Sequence, residues 1–365
     1  VIVGATIAAT ALSGGDDDGS RRIATTPSTS TSGARAPAPE PRRSTATAPV
    51  SIAAVGDIMM GSSDHGLPSD GGAGSFTSVT GLLGADILMG NLEGPLTDAT
   101  GGSKCGADST SCFAFRTPPS YVANLKSAGF DVMNVANNHA FDFGPEGLAD
   151  TLAALRGAGI AETGSVGTEA VLDRGGTRVV FLGFAPYPWA DPLLEPDRAA
   201  ARVREAAAKA DVVVVTMHAG AEGSDATHVP EGPESFLGEQ RGDSRAFARA
   251  VIDAGADLVI GHGPHVLRGM ELYKGRLVAY SLGNFLGYEA FSLSGALSTS
   301  AVLRVRVAAD GRFLDGTLKP VQLGGAGRPA PGGNAVAMVD ALSAEDFGAR
   351  AVRLSPEGVL RAPSG

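Results

Sequence analysis

Six histidines are spread over 365 residues, and at least four of them stand beside Asn, Asp, Glu or Gly at the ends of apolar runs. The groups are Asn137-Asn138-His139, His218 after the run 212–216, and Gly261-His262-Gly263-Pro264-His265. Gly56-Asp57 and Asn91-Leu92-Glu93 close two further apolar runs. Imidazole nitrogen, carboxylate and amide oxygen are borderline and hard ligands, a set that suits divalent Zn, Mn or Fe. So few histidines placed this way point to a metal site for one or two divalent ions. Each residue also has a plainer reading. Asp57 would serve as a loop cap, Glu93 as a helix cap or a partner of Arg116, and Asn138 as the residue of a left-handed turn. His139 and His218 would be buried hydrogen-bonding histidines, and His262 and His265 parts of a Gly/Pro turn. His65 and His228 lie in polar stretches and read as bystanders. Tyr187-Pro188-Trp189 reads as a packed aromatic turn or as a substrate-stacking loop.

The elements that must position these residues alternate. Strands are predicted over 50–55, 86–89, 131–135, 178–184, 211–216 and 257–260. Helices are predicted over 118–128, from Pro145 through Leu155, and over 197–210 and 245–254. Gly129 supplies a stop, Pro145 a first helical turn, and Leu148, Leu152 and Leu155 one apolar face. Later strands at 277–282, 298–307 and 314–321 follow without helices, as expected of a partner sheet or a mixed one. The tail, 334–360, reads as a helix and a hairpin. Such alternation indicates the α/β class. Open α/β sheets bind ligands at the carboxyl ends of their strands. Asp57, Glu93, Asn138, His218 and His262 each follow a predicted strand, so five elements distant in sequence can converge on one edge.

A hydrophobic fraction of 43% supplies a sizeable core, and the net charge of -10 argues against a sequence-independent nucleic-acid binder. Residues 1–13 are apolar and small, shorter than the roughly 18 residues needed to span a bilayer, and read as the remnant of a signal peptide or membrane anchor. Residues 14–49 are rich in Ser, Thr, Ala and Pro, a composition that cannot offset its ordering entropy and so reads as a linker. The folded domain is expected over 50–361. Anchor, linker and domain together imply a protein held outside the cytoplasm. Cys105 and Cys112 are the two cysteines. In an exported protein their close spacing favours one disulfide, while a cytosolic protein would keep two free thiols.

Six motifs, in order, are similar to those of the CapA-type poly-γ-glutamate synthesis proteins, a family within the calcineurin-like metallophosphatase superfamily. They are Val55-Gly56-Asp57-Ile58-Met59-Met60-Gly61, Gly90-Asn91-Leu92-Glu93-Gly94-Pro95-Leu96-Thr97, Ala136-Asn137-Asn138-His139, Phe141-Asp142-Phe143-Gly144, Gly261-His262-Gly263-Pro264-His265-Val266-Leu267 and Tyr280-Ser281-Leu282-Gly283-Asn284-Phe285. The resemblance runs from about residue 50 to at least 285. It implies a four-layer α/β/β/α sandwich with a two-metal site. Asp57 and His265 then resemble ligands of one metal, Asn138, His218 and His262 ligands of the other, and Glu93 stands where a bridging carboxylate is expected. His139 matches the histidine that helps protonate the leaving group. Asn91, Asp142 and Asn284 fall to supporting or substrate-contacting positions. The chain departs from the superfamily in four places. Met59 fills a histidine position, the carboxylate is a Glu in an Asn-x-Glu setting, the last histidines are spaced His-x-x-His, and Ala219 follows His218 where the family usually has Trp.

The resemblance implies a surface-anchored protein acting in synthesis, export or release of an anionic polymer such as poly-γ-glutamate, possible partners being the polymer itself and membrane-bound capsule synthesis or export proteins. A metal-dependent phosphatase or phosphodiesterase uses the same ligands, and a non-catalytic scaffold would keep the fold alone.

Overall fold

The computed structural model describes residues 48–63, 66–105 and 112–363. The leader reading of 1–13, nearly all of the 14–49 linker and the bystander His65 lie outside the described residues. Two sheets make up the body. The first runs, in spatial order, Pro329–Pro331, Phe313–Leu323, Thr299–Val307, Val50–Met59, Ile87–Leu92, Val132–Asn134 and Ala161–Thr163, with Asn284–Gly287 pairing the end of Val50–Met59. The second runs Met270–Tyr273, Arg276–Ala279, Leu258–His262, Val212–His218, Thr177–Ala185 and Ala170–Arg174. The central strands of each are parallel, which is why 50–59, 212–218 and 258–262 read as continuous apolar runs buried on both faces.

The period-two alternation of strand side chains divides the core into layers. Ile52, Ala54, Ile87, Met89 and Val132 of the first sheet meet Phe181, Val214, Leu258 and Ile260 of the second in one cluster between the sheets. The opposite faces turn outward onto helices. Ala53, Val55, Leu88 and Met133 pack with Leu125 and Leu155 of the helices Val122–Ala128 and Gly144–Gly157. Val180, Leu182, Val213 and Val215 pack with Ala199 and Val203 of Pro196–Ala207 and with Phe247 and Val251 of Ser244–Asp253. The result is the four-layer α/β/β/α sandwich. The helix Ala335–Phe347 inserts Ala335 and Val339 into the inter-sheet cluster, and the hairpin Arg353–Leu354/Leu360–Arg361 follows it.

The late strands resolve the choice the sequence left open. Thr299–Val307 lies antiparallel to Val50–Met59 and extends the first sheet, which is therefore mixed. The strand expected over 277–282 stops at Ala279. Gly261 lies so close to Tyr280 that a Cβ on it would stand 2.0 Å from the Tyr280 carbonyl oxygen, and Gly283 turns with φ +66, so 280–283 bends between the sheets. Residues 118–128 form a 3-10 turn, Pro119–Tyr121, before the α-helix begins, and Gly129 ends that helix in the left-handed region at φ 91.

Candidate metal centre

The register of each sheet brings the polar residues side by side. Asp57 lies opposite Asn91 on one neighbour and Asn284 on the other, at a bulge in Val50–Met59. His262 lies opposite His218 on adjacent parallel strands. The two sheets present these carboxyl ends at the same edge, and the segment after Val132–Asn134 brings in Asn137, Asn138 and His139. Gly56 fixes the approach, since a Cβ there would stand 1.9 Å from the Gly283 carbonyl oxygen that accepts the Asp57 backbone N–H.

Asp57, Glu93 and His265 each offer a ligand atom, all within 4.8 Å of one another. His265 Nδ1 lies 3.1 Å from Asp57 Oδ2 and 3.0 Å from Asn284 Oδ1, and its Nε2 lies 3.6 Å from Glu93 Oε1. His265 holds φ 62, left-handed backbone that disfavours a side chain with a Cβ. Its ring contacts accompany that strained turn. His218 Nε2 is 3.8 Å from Glu93 Oε1, and His262 Nδ1 is 3.4 Å from Asp57 Oδ1. Asn91 donates to Asp57 Oδ1 at 2.8 Å and accepts from Asn134 and Asn137 at 2.8 and 3.1 Å. A row of buried amides therefore holds the Asp57 carboxylate in place.

Several polar atoms of these groups make no hydrogen bond. Both oxygens of Glu93, both ring nitrogens of His218 and His262, and Oδ1 of Asn138 are buried without a hydrogen bond. Buried polar atoms are nearly always satisfied, so orphans gathered in one place call for an explanation. A cation accepted by carboxylate, imidazole and amide oxygen supplies one, and the donor set fits it. The ionisable groups of the metal-free site perturb one another strongly. Burial pushes the Glu93 carboxyl well above the usual carboxylate range. Burial pushes His218 well below the ordinary imidazole value, with the nearby Arg241 charge adding to the effect. Burial alone would lower His265 too, but Glu93, Asp57 and Glu222 outweigh it and hold the imidazole up at about 10. Burial would raise Asp57, yet His262 and His265 keep it well below the carboxylate range.

His139 stands beside this group. Its Nδ1 is 2.8 Å from Asp142 Oδ2, and Lys104 reaches Asp142 at 2.6 Å and His139 Nδ1 at 3.3 Å. Burial lowers the His139 pKa despite Asp142. Next to Lys104, Cys105 and Cys112 form a disulfide. Tyr187, Trp189 and Phe141 stack in series, with centroids 5.0 and 5.1 Å apart, and Trp189 Nε1 donates to the Asn137 carbonyl. Met59 is buried, and its sulfur accepts the Gly61 N–H at 3.3 Å. Arg116 donates to the Ala99 carbonyl and lies over the Phe143 ring. His228 pairs with Asp346 at 2.8 Å on the surface.

Two residues at the centre carried no role in the sequence reading. Glu222 lies 3.5 Å from Asn138 Nδ2 and 3.7 Å from His265 Nε2. Its signal was its place four residues after a strand-end histidine. Arg241 pairs with Glu222 at 2.9 Å from the small hairpin Glu234–Phe236/Glu239–Gly242, and nothing in that polar stretch marked it.

A family model described as "Bacterial capsule synthesis protein PGA_cap" matches residues 51–289. The chain is 33% identical over 256 residues to the PGA biosynthesis protein CapA of Bacillus subtilis (strain 168), covering 65% of this chain and 63% of that one. It is 30% identical over 259 residues to the capsule biosynthesis protein CapA of Bacillus anthracis, covering 65% and 59%. The matched segment thus spans less than two thirds of either relative. Among solved structures, a 5'-nucleotidase precursor from Thermus thermophilus aligns at TM-score 0.42 and 17% identity, covering 75% of this chain and 54% of that one. A likeness of that size carries no weight for fold or function.

Proposed function

The chain belongs to the bacterial capsule synthesis protein PGA_cap family, and from that premise we propose that it acts outside the cytoplasm, as a metal-dependent hydrolase, in synthesis, export or release of poly-γ-glutamate or a similar anionic polymer. The observation that carries the hydrolase reading is the gathering of buried polar atoms without hydrogen bonds on Glu93, His218 and His262, where the carboxyl ends of the two sheets meet. Asp57, Glu93 and His265 would hold one divalent ion, and Asn138, His218 and His262 a second beside Glu93. Bound there, divalent ions would neutralise substrate carboxylates and lower the pKa of water. Asn91 and Asn284 orient Asp57 and His265. Asp142 accepts the His139 Nδ1–H, which leaves Nε2 as the atom that takes up and passes on a proton. The Cys105–Cys112 disulfide supports an oxidising compartment. The polymer and membrane-bound synthesis or export proteins are the proposed partners.

The test is turnover by the metal-reconstituted protein of a γ-linked glutamate oligomer and, in parallel, of a generic phosphoester. Cleavage of the oligomer that is lost in His139→Ala supports the reading. Phosphoester turnover alone would replace it with a phosphoesterase, and bound metal without turnover of either would leave a non-catalytic scaffold.

A further inference from the structure

Arg241 and Arg268 are the largest fully buried side chains among the described residues, each 1% exposed, and only part of the Arg241 guanidinium is engaged. Nε donates to the Gly220 carbonyl at 3.0 Å, and Nη1 donates to the Tyr187 hydroxyl at 2.7 Å and pairs with Glu222 at 2.9 Å. Nη2 is buried with no hydrogen-bond partner. The contacts at Nε and Nη1 fix the guanidinium plane, and Gly263 leaves the space beside Nη2 open: it has φ +110, and a Cβ there would stand 3.1 Å from both Arg241 Nη2 and His218 Cδ2. The free nitrogen therefore lies beside Gly263, on the side of that residue where the His218 ring also approaches, next to the candidate metal centre. Tyr187, which helps lock the guanidinium, belongs to the aromatic stack with Trp189 and Phe141.

A buried cationic donor without an acceptor is costly to maintain. A guanidinium clamped on two of its nitrogens is preorganised to donate the third to an oxyanion. Glu222 balances the charge at Nη1 and also reaches toward Asn138 and His265, which ties the arginine to the centre without consuming Nη2. We propose that Arg241 is the anion-binding arm of this site, its Nη2 donating to an oxygen of a carboxylate or phosphoryl group of the substrate. This rests on the reading of the neighbouring residues as a hydrolytic metal centre and adds the class of group that the centre receives.

The test is calorimetric titration of inorganic phosphate, and separately of a γ-linked glutamate trimer, into the full chain and its Arg241→Gln, Arg241→Met and Arg241→Lys variants. Metal content and thermal unfolding are measured on each. The expected result is binding of at least one probe, weakened roughly 10- to 100-fold in Arg241→Gln and partly restored in Arg241→Lys, with metal content unchanged. The stronger probe identifies the anion as carboxylate or phosphoryl. The proposal is overturned if the wild type binds neither probe, or if a folded Arg241→Gln or, should that variant not fold, Arg241→Met binds as tightly as the wild type. Arg241-dependent binding in a protein that takes up no metal would sink the metal reading and leave this one standing. Arg241-independent binding in a metal-loaded protein would do the reverse.

Discussion

Replacing Glu93 by Gln should change the sign of its effect with metal. In the metal-free protein the Glu93 carboxylate is fully buried, neither oxygen has a hydrogen bond, and the nearest ring nitrogens stand 3.6 and 3.8 Å away. An unsatisfied buried polar group costs about 1–3 kcal/mol, and a charged one more. Burial raises the Glu93 carboxyl well above its usual range, so at neutral pH folding costs its ionisation. Gln keeps the shape and cannot ionise, so Glu93→Gln should stabilise the metal-free chain by about 1 kcal/mol, a rise of about 2 °C in Tm for a domain of this size. A ligand at 100 times its Kd stabilises by about 2.7 kcal/mol. If loss of the carboxylate weakens metal binding about 100-fold, the variant retains roughly 0.4 kcal/mol of that gain. Thermal unfolding of both proteins with chelator, and with Mn²⁺ or Zn²⁺ at equal free concentration, reads the difference. The variant should melt above the wild type in chelator and below it in metal. A variant that melts lower in chelator, or gains as much as the wild type from metal, would refute the account of Glu93.

Three further outcomes follow from the packing. Gly56→Ala places a Cβ 1.9 Å from the Gly283 carbonyl oxygen, backbone that cannot rotate away, and should cost about 3 kcal/mol or more in chemical denaturation. Unchanged stability would mean that the strand end carrying Asp57 is not held as described. The Cys105–Cys112 bridge closes a short loop, seven residues apart in sequence, so the double Cys→Ser variant should lose about 2 kcal/mol, and an unchanged Tm would contradict an ordered bridge. Asp257 is pushed up to about 6 by burial, against its backbone bond from Val213 and its pair with Arg276. A raised carboxyl pKa contributes stability below the unfolded value of 3.8 that is lost as pH rises to about 6, by about 3 kcal/mol in all. Asp257→Asn should flatten that part of the stability–pH curve, and an unchanged slope between those values would contradict the assignment.

The parts of the fold legible in the sequence were those set by periodicity and punctuation. The runs at 50–59, 212–218 and 258–262 are buried on both faces and carry no alternation to confuse them, and Gly129 and Pro145 mark helix boundaries by their backbone chemistry. Ala170–Arg174 escaped because it is a short edge strand whose exposed positions are Val171 and Asp173, and Asn284–Gly287 because its four residues begin with Asn and end with Gly. At the site, residues at strand ends were readable because strand ends are where parallel sheets place ligands. Arg241 and Glu222 were not, since both come from loop and hairpin segments whose position depends on tertiary packing. Arg241 also contradicts the expectation that an arginine in a polar stretch stays at the surface. Met59 was readable as a departure in sequence, and the structure shows its sulfur turned to the Gly61 N–H.

The most direct test of the central claim is elemental metal analysis of the full chain beside Asp57→Ala and His262→Ala. The account predicts about two equivalents of a divalent transition metal in the wild type, with loss in both variants. A wild type that holds no metal even after reconstitution would contradict it.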